Sequence, residues 1–305
     1  MNLEQVIRKM EVNKSYLENG AGYLSKKFNC RPDIIKEAKQ IIRNKRKTPE
    51  INEDLFKEFL EYANAKKKDQ PKKKKKQKQL PQPYQGGDID NVLVIGDLHE
   101  PFCLEGYLQH CRHVQEELNC GTVIFIGDVI DNHFSSYHES DPDGFAAGQE
   151  LDRAIDKIAD WHNVFPNSTV LIGNHDRLVY RKATTAGVSR KWVRDLDEVL
   201  ETPTWTFVEE VNLHGNNYNH GEGGTARNRM KVEHQSQIQG HLHSQAYVEF
   251  SVGPDTRIFG MQVGCGIDRK SYAMAYGKNF KKPIISCGAV LNKGQHPIVI
   301  PMNLK

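Results

Sequence analysis

The sequence predicts an α/β domain built around a mostly parallel sheet, preceded by a small all-helical unit. Residues 92–95, 123–126 and 169–172 are continuous apolar runs of the kind that forms strands buried on both faces, and each run ends in a glycine, Gly96, Gly127 or Gly173. Amphipathic helical patterns separate them. Leu104, Tyr107, Leu108, Cys111, Val114 and Leu118 mark the first interval, and Leu151, Ala154, Ile155, Ile158, Trp161 and Phe165 the second. Strand, helix, strand, helix, strand is the βαβ arrangement of a parallel sheet with right-handed crossovers. At 305 residues and 38% apolar content the chain can bury a large core and carry a second, smaller unit.

At the N-terminus, Leu3, Val6, Ile7, Met10 and Leu17 keep helical spacing and predict one helix over residues 2–18, ending before Asn19-Gly20. A short helix is expected over 22–28. Asn29 suits a left-handed turn, and Pro32-Asp33 opens a third helix with Ile34, Ile35, Ala38, Ile41 and Ile42 on one side. Its opposite face carries Lys36, Lys39, Arg43, Lys45, Arg46 and Lys47. Residues 23–30 and the helix after them resemble a helix-turn-helix DNA-binding unit, with Ser25 at the small-residue place and Asn29 where glycine is common. The resemblance makes the third helix the recognition helix and Lys36, Lys39, Arg43 and Arg46 its nucleic-acid contacts. A three-helix mini-domain with a solvated basic face has the same pattern. Thr48-Pro49 starts a fourth helix with a stripe of Ile51, Leu55, Phe59 and Tyr62.

From 66 to 87 periodicity disappears into lysine, glutamine and proline, which predicts an extended linker. Residues 66–78 hold nine lysines against one aspartate, +8, so the rest of the chain stands at −5 although the whole is +3. The run Lys72, Lys73, Lys74, Lys75 and Lys76 can neutralise nucleic-acid phosphates, keep a tether soluble or act as an import signal. Three domains are expected: helical 1–65, linker 66–87 and catalytic 88–305. After Val199, β-like runs at 204–208, 245–251, 257–263, 284–291 and 298–300 predict a second sheet packed on the first. No apolar run approaches the roughly 20 residues of a membrane span, and the six cysteines lack zinc-like spacing. A cytoplasmic protein with reduced thiols and no membrane partner is expected.

Each glycine-terminated strand delivers metal-capable side chains: Asp97 and His99 after the first, Asp128 and Asp131 after the second, Asn174, His175 and Asp176 after the third. His220 and Gly240-His241-Leu242-His243 follow. Mixed imidazole and oxygen donors favour manganese, iron or zinc over magnesium. The order Asp-x-His, Gly-Asp-x-x-Asp, Gly-Asn-His-Asp, His, Gly-His-x-His resembles the calcineurin-like metallophosphoesterases over 91–243.

The resemblance implies a four-layer α/β/β/α sandwich holding two divalent transition-metal ions, manganese foremost. It places Asp97, His99, Asp128 and His243 on one ion, and Asp128, Asn174, His220 and His241 on the other, with Asp128 bridging. It further implies hydrolysis by a hydroxide shared between the ions, with His175 as general acid and Asp131 orienting it. Asp176 reads as a loop cap.

Departures from the Ser/Thr phosphatase pattern bear on substrate. Asn132-His133 replaces the Arg-Gly that would grip a phosphate, and Gly-His-Leu-His is present, so the chain looks closer to the nuclease and phosphodiesterase branches, of a kind met in phages and bacteria. Residues 132–144 and Arg177, Arg181 and Lys182 follow ligand strands, which makes Asn132, His133 and Arg177 candidate pocket residues. With a helix-turn-helix-like front end, the expectation is a DNA nuclease with DNA as substrate or tether. The alternatives are a phosphomonoesterase or cyclic-nucleotide phosphodiesterase, and a DNA-binding or particle-associated protein whose metal domain is structural.

Overall fold

The computed structural model describes residues 1–12, 14–45, 80–136, 144–271 and 282–304, in two units, Met1–Lys78 and Gln79–Lys305. The expected fourth helix, the linker as far as residue 79, Arg46 and Lys72 to Lys76 lie outside the described residues.

The first unit contains α1 (Leu3–Val12), a 3₁₀ turn (Lys14–Leu17), α2 (Ala21–Phe28) and α3 (Pro32–Lys45). The single helix expected over 2–18 therefore ends at Val12, because no apolar residue keeps the spacing between Val12 and Tyr16. Val6, Met10, Leu24, Phe28, Ile35, Ala38 and Ile42 form its core. Asn29 closes α2 at φ 47°, and the Ser25 hydroxyl donates to the Cys30 carbonyl at 2.6 Å, fixing the turn into α3. Lys36 is exposed, as expected. Lys39 is not on the solvent face: its ammonium donates to the Leu17 carbonyl at 3.0 Å and to the Asn19 carbonyl, tying α3 to the preceding turn. Arg43 lies within α3.

In the second unit β1 (Asp88–Ile95), α4 (Tyr107–Glu117), β2 (Cys120–Phe125), α5 (Ala147–Val164) and β3 (Thr169–Leu171) follow the predicted alternation. After them come α6 (Leu178–Thr185), α7 (Leu196–Val199), β4 (Thr206–Val208), β5 (Glu210–Leu213), β6 (Asn216–Asn219) and α8 (Ala226–Glu233). The unit closes with β7 (Gln237–Gln239), β8 (Tyr247–Val252), β9 (Arg257–Gln262), β10 (Ser286–Leu291) and β11 (His296–Pro301).

One sheet runs β11-β10-β1-β2-β3-β4, parallel from β1 to β4 and antiparallel at β10 and β11. The other runs β5-β6-β7-β9-β8. Alternation in the central strands explains the unbroken apolar runs. Leu93, Ile95, Val123 and Phe125 join the helix-side core with Tyr107, Ile158 and Trp161, whereas Val92, Val94, Ile124 and Ile126 meet Tyr218, Ile238, Phe259 and Met261 of the second sheet. Helix α8 covers the second sheet, and a Cβ on Gly260 of β9 would stand 2.8 Å from the Ala226 backbone. The layers are therefore α/β/β/α.

Three of the late β-like runs, around 204–208, 284–291 and 298–300, belong to the first sheet and not to the second. The second sheet instead recruits β5, β6 and β7, whose polar composition hid them: Asn216, Asn217, Asn219, Gln237 and Gln239 are buried, and Asn219 joins Gln237 and Gln239 through amide hydrogen bonds. Among the described residues no helix is long and apolar enough to cross a membrane, and all six cysteines are free thiols.

Candidate metal centre

The carboxyl ends of β1, β2 and β3 converge where the first sheet meets the loops after β6 and β7. Asp97, His99, Asp128 and His243 form one donor group and Asp128, His220 and His241 a second, the donor atoms of each within 4.8 Å of one another. Asn174 completes the second, its Oδ1 3.0 Å from His220 Nε2. Asp128 belongs to both: its Oδ2 stands 3.1 Å from His220 Nε2 and 3.5 Å from His99 Nε2.

The strand-ending glycines make this convergence sterically possible. A Cβ on Gly173 would overlap the Asp128 carboxylate, one on Gly240 the Asp97 carboxylate, and one on Gly127 the His220 ring. Each glycine thus clears space for a donor delivered by a different segment. His99, Asp128 and His241 also adopt φ of 49°, 49° and 65°, a conformation that costs non-glycine residues energy and recurs at functional sites.

Backbone and buried side chains aim the donors. Asp97 Oδ2 accepts the His241 N–H at 2.8 Å, and Asp128 Oδ1 accepts the His175 N–H at 2.8 Å. His220 Nδ1 lies 3.0 Å from the Ile126 carbonyl, which leaves Nε2 facing Asp128 and Asn174. The Gly264-Cys265-Gly266 segment, for which the sequence suggests no role, braces the Asp97 loop: the Gly266 N–H donates to the Asp97 carbonyl at 2.8 Å and the Leu104 N–H to the Gly266 carbonyl at 2.7 Å.

The donor set fits divalent cations. His99 Nε2 and His243 Nε2 face each other at 3.2 Å, with Asp97 Oδ2 3.1 Å from His243 Nε2. Asp97 Oδ1 is buried without a hydrogen-bond partner among the described residues. Two ring nitrogens pointed at one place beside a buried carboxylate are what a cation joins. Burial pushes the Asp128 carboxyl up, but the His220, His175 and His99 rings outweigh it and hold the group well below the usual carboxylate range. The reciprocal effect raises His220 to about 10, with burial opposing and Asp128 prevailing. Positive charge is thus favoured where the two donor groups meet.

Several expected roles change. Asp131 stands beside His175, its Oδ1 3.5 Å from His175 Nδ1, but it also lies 2.6 Å from His99 Nδ1, a contact the sequence does not announce. What orients His175 is the Asp131 backbone carbonyl, 2.6 Å from Nδ1. The Asn132 side-chain amide donates to the His175 carbonyl at 2.9 Å. His133 is buried, its N–H donating to Glu150 at 2.7 Å. Arg177 is taken up by Glu209 and Glu222, both at 2.6 Å, and by the Ile172 carbonyl at 2.7 Å. Asp176 caps its loop as expected, accepting the N–H groups of Gly173 at 2.9 Å and Ile130 at 3.3 Å.

A family model for calcineurin-like phosphoesterases matches residues 91–250. The chain belongs to that family. Solved structures that resemble this calcineurin-like phosphoesterase include a novel archaeal phosphodiesterase, 16% identical, covering 70% of this chain and 99% of its own at a TM-score of 0.38. The E. coli phosphoesterase Yfce is 15% identical, with coverages of 66% and 88% and a TM-score of 0.33. The Pseudomonas putida nuclease MPE is 14% identical, with coverages of 69% and 86% and a TM-score of 0.32. No curated protein matches the sequence.

Proposed function

We propose that the protein is a two-metal phosphodiesterase that cleaves DNA. The observation that carries the reading is the pair of donor groups sharing Asp128. In it, Asp97, His99, Asp128 and His243 hold one divalent ion, and Asp128, Asn174, His220 and His241 the other. Manganese is favoured by the mixed donors, with iron and zinc next. Bound there, two such ions supply Lewis-acid polarisation of a phosphoryl oxygen and lower the pKa of water so that a nucleophile exists near neutral pH.

The protein's own groups provide orientation and the proton. Asp131 accepts from His99 Nδ1 and turns Nε2 toward the donor cluster. His175 Nδ1 donates to the Asp131 carbonyl, so Nε2 is the nitrogen left to hold a proton for the leaving oxygen. Burial lowers the His175 pKa, but the Asp128 and Asp131 carboxylates outweigh it and raise it, which suits a group that must be charged before it gives a proton.

Support for DNA comes from the cations that the sequence sets on the third helix, of which Lys36 is exposed, and from the lysine run at 72–76, which would hold a polyanion to the chain without contacts at the metal centre. The test assays the purified chain, with manganese, on bis-p-nitrophenyl phosphate, p-nitrophenyl phosphate and single- and double-stranded DNA. Cleavage of the diester and of DNA is expected. Hydrolysis confined to the monoester removes the nuclease reading, and silence on every substrate with metal bound favours a structural role.

A further inference from the structure

Helix α6 grows out of the His175 loop, its Leu178 N–H donating to the His175 carbonyl at 3.2 Å. From Val179 to Asp195 nearly every side chain is exposed, and five cations, Arg181, Lys182, Arg190, Lys191 and Arg194, stand against one carboxylate, Asp195. Among them Trp192 is 84% exposed, whereas Trp161 and Trp205 are 1% and 4% exposed. A large aromatic in water among cations has no packing reason to be there.

The segment that displays it is braced. The Val188 N–H donates to the Ala183 carbonyl at 2.8 Å and the Trp192 N–H to the Ser189 carbonyl at 3.0 Å. The Arg190 guanidinium lies 3.9 Å from the Tyr180 ring centre and pairs with Asp195 at 2.5 Å, while the Tyr180 hydroxyl donates to the Arg194 carbonyl at 3.3 Å. A second exposed aromatic, Phe134 at 53%, sits in the turn His133–Ser135 that packs on α6.

We propose that this surface binds single-stranded nucleic acid, with the Trp192 indole stacking on a base and Lys191 and Arg194 meeting the flanking phosphates, and that it leads the strand to the metal centre. The inference rests on the DNA-cleaving reading above and names the form of its substrate. An indole face can stack only on a base whose own face is open, which a single strand offers and a paired stack does not. The surrounding charge complements a chain carrying one phosphate per base. Val179 and Val188 are also exposed in this segment, but a protein-docking hot spot would deplete lysine, whereas five cations stand here against one carboxylate.

Trp192 is the one exposed tryptophan of three, so intrinsic fluorescence reports on this surface without interference from the lysine-rich front end. The full chain, with manganese, is titrated with a phosphorothioate 12-mer of thymidine that resists cleavage. Saturable quenching is expected. Trp192→Ala should raise KM for cleavage of the matching phosphodiester 12-mer by roughly 10-fold and leave bis-p-nitrophenyl phosphate turnover and the melting temperature unchanged, and Trp192→Phe should restore KM. Absence of quenching, equal quenching by base-free polyphosphate or by duplex, or an unchanged KM in Trp192→Ala each overturns the proposal. Cleavage without quenching removes this surface and spares the nuclease reading, and quenching without cleavage does the reverse.

Discussion

Gly173→Ala probes the fit on which the donor cluster depends. A Cβ at this position would lie 2.5 Å from the Asp128 nitrogen and would overlap the Asp128 carboxylate, where ordinary contact begins at 3.4 Å. One side must move by about 1 Å, and close-packed interiors transmit such a strain. Neither side moves freely. The Asp128 carbonyl accepts the Leu98 and His99 N–H groups at 3.1 and 2.9 Å, its Oδ1 accepts from His175, and the Gly173 N–H is held by Asp176. Overpacking of this kind costs about 1–3 kcal/mol, and a misplacement of about 1 Å in catalytic geometry costs about 10²-fold in rate. The variant should therefore lose about 10²-fold in kcat on bis-p-nitrophenyl phosphate, bind less metal per chain and melt several degrees lower. Gly224→Ala is the control, because nothing lies within 4 Å of a Cβ there. Metal content, kcat and calorimetric melting decide it: a Gly173→Ala protein with wild-type values for all three would show that the glycine is not making room for Asp128.

Other outcomes separate the roles assigned to neighbouring residues. Asp131→Ala should weaken metal affinity by about 10–100-fold, because it releases the His99 ring; unchanged affinity with reduced kcat would return Asp131 to His175. His175→Ala should keep its metals and lose about 10²–10⁴-fold in kcat, most with poor leaving groups. Loss of metal in that variant would contradict a proton-donating role. Burial pushes the Glu150 carboxyl up from 4.5 to about 7, so the folded chain keeps a proton that the unfolded chain releases in that window. Stability from this group is present below pH 4.5 and lost as pH rises through about 7. Glu150→Gln should flatten the change of melting temperature across that range, and an unchanged slope would contradict it.

The sequence announced the first sheet because its strands are buried on both faces, and Val92 to Ile95 must be apolar whichever way each side chain points. It concealed β6 and β7 for the opposite reason. Their inner face is represented by single residues, Tyr218 and Ile238, while Asn219 is hydrogen-bonded to Gln237 and Gln239 in the interior. Apolar periodicity cannot detect a strand whose burial is met by hydrogen bonds. The antiparallel strands β10 and β11 carried ordinary β patterns, but nothing in a pattern says which sheet a strand joins, and the chain returns from the second sheet to pair β10 with β1.

The candidate site divides along the same physical line. Its donors were legible because a metal-capable side chain after a strand-ending glycine is a local signature, and the structure shows why the glycine is there: a Cβ at 127, 173 or 240 would occupy the place of His220, Asp128 or Asp97. The partners of those donors are set by geometry across the fold, and there sequence reasoning reads only part of them. Asp131 lies next to His99 because β1 and β2 are parallel neighbours whose exit loops run side by side, joined by the Glu100–Ile130 bridge, with the His99 N–H on the Asp128 carbonyl at 2.9 Å and the Asp131 N–H on the Glu100 carbonyl at 3.0 Å. Arg177 looked like a phosphate grip, yet Glu209 and Glu222, 32 and 45 positions further on, fold back to claim it. A cation already held by two carboxylates and a carbonyl has little positive potential left for a phosphate, which turns the search for substrate contacts toward the cations and the open indole beyond α6.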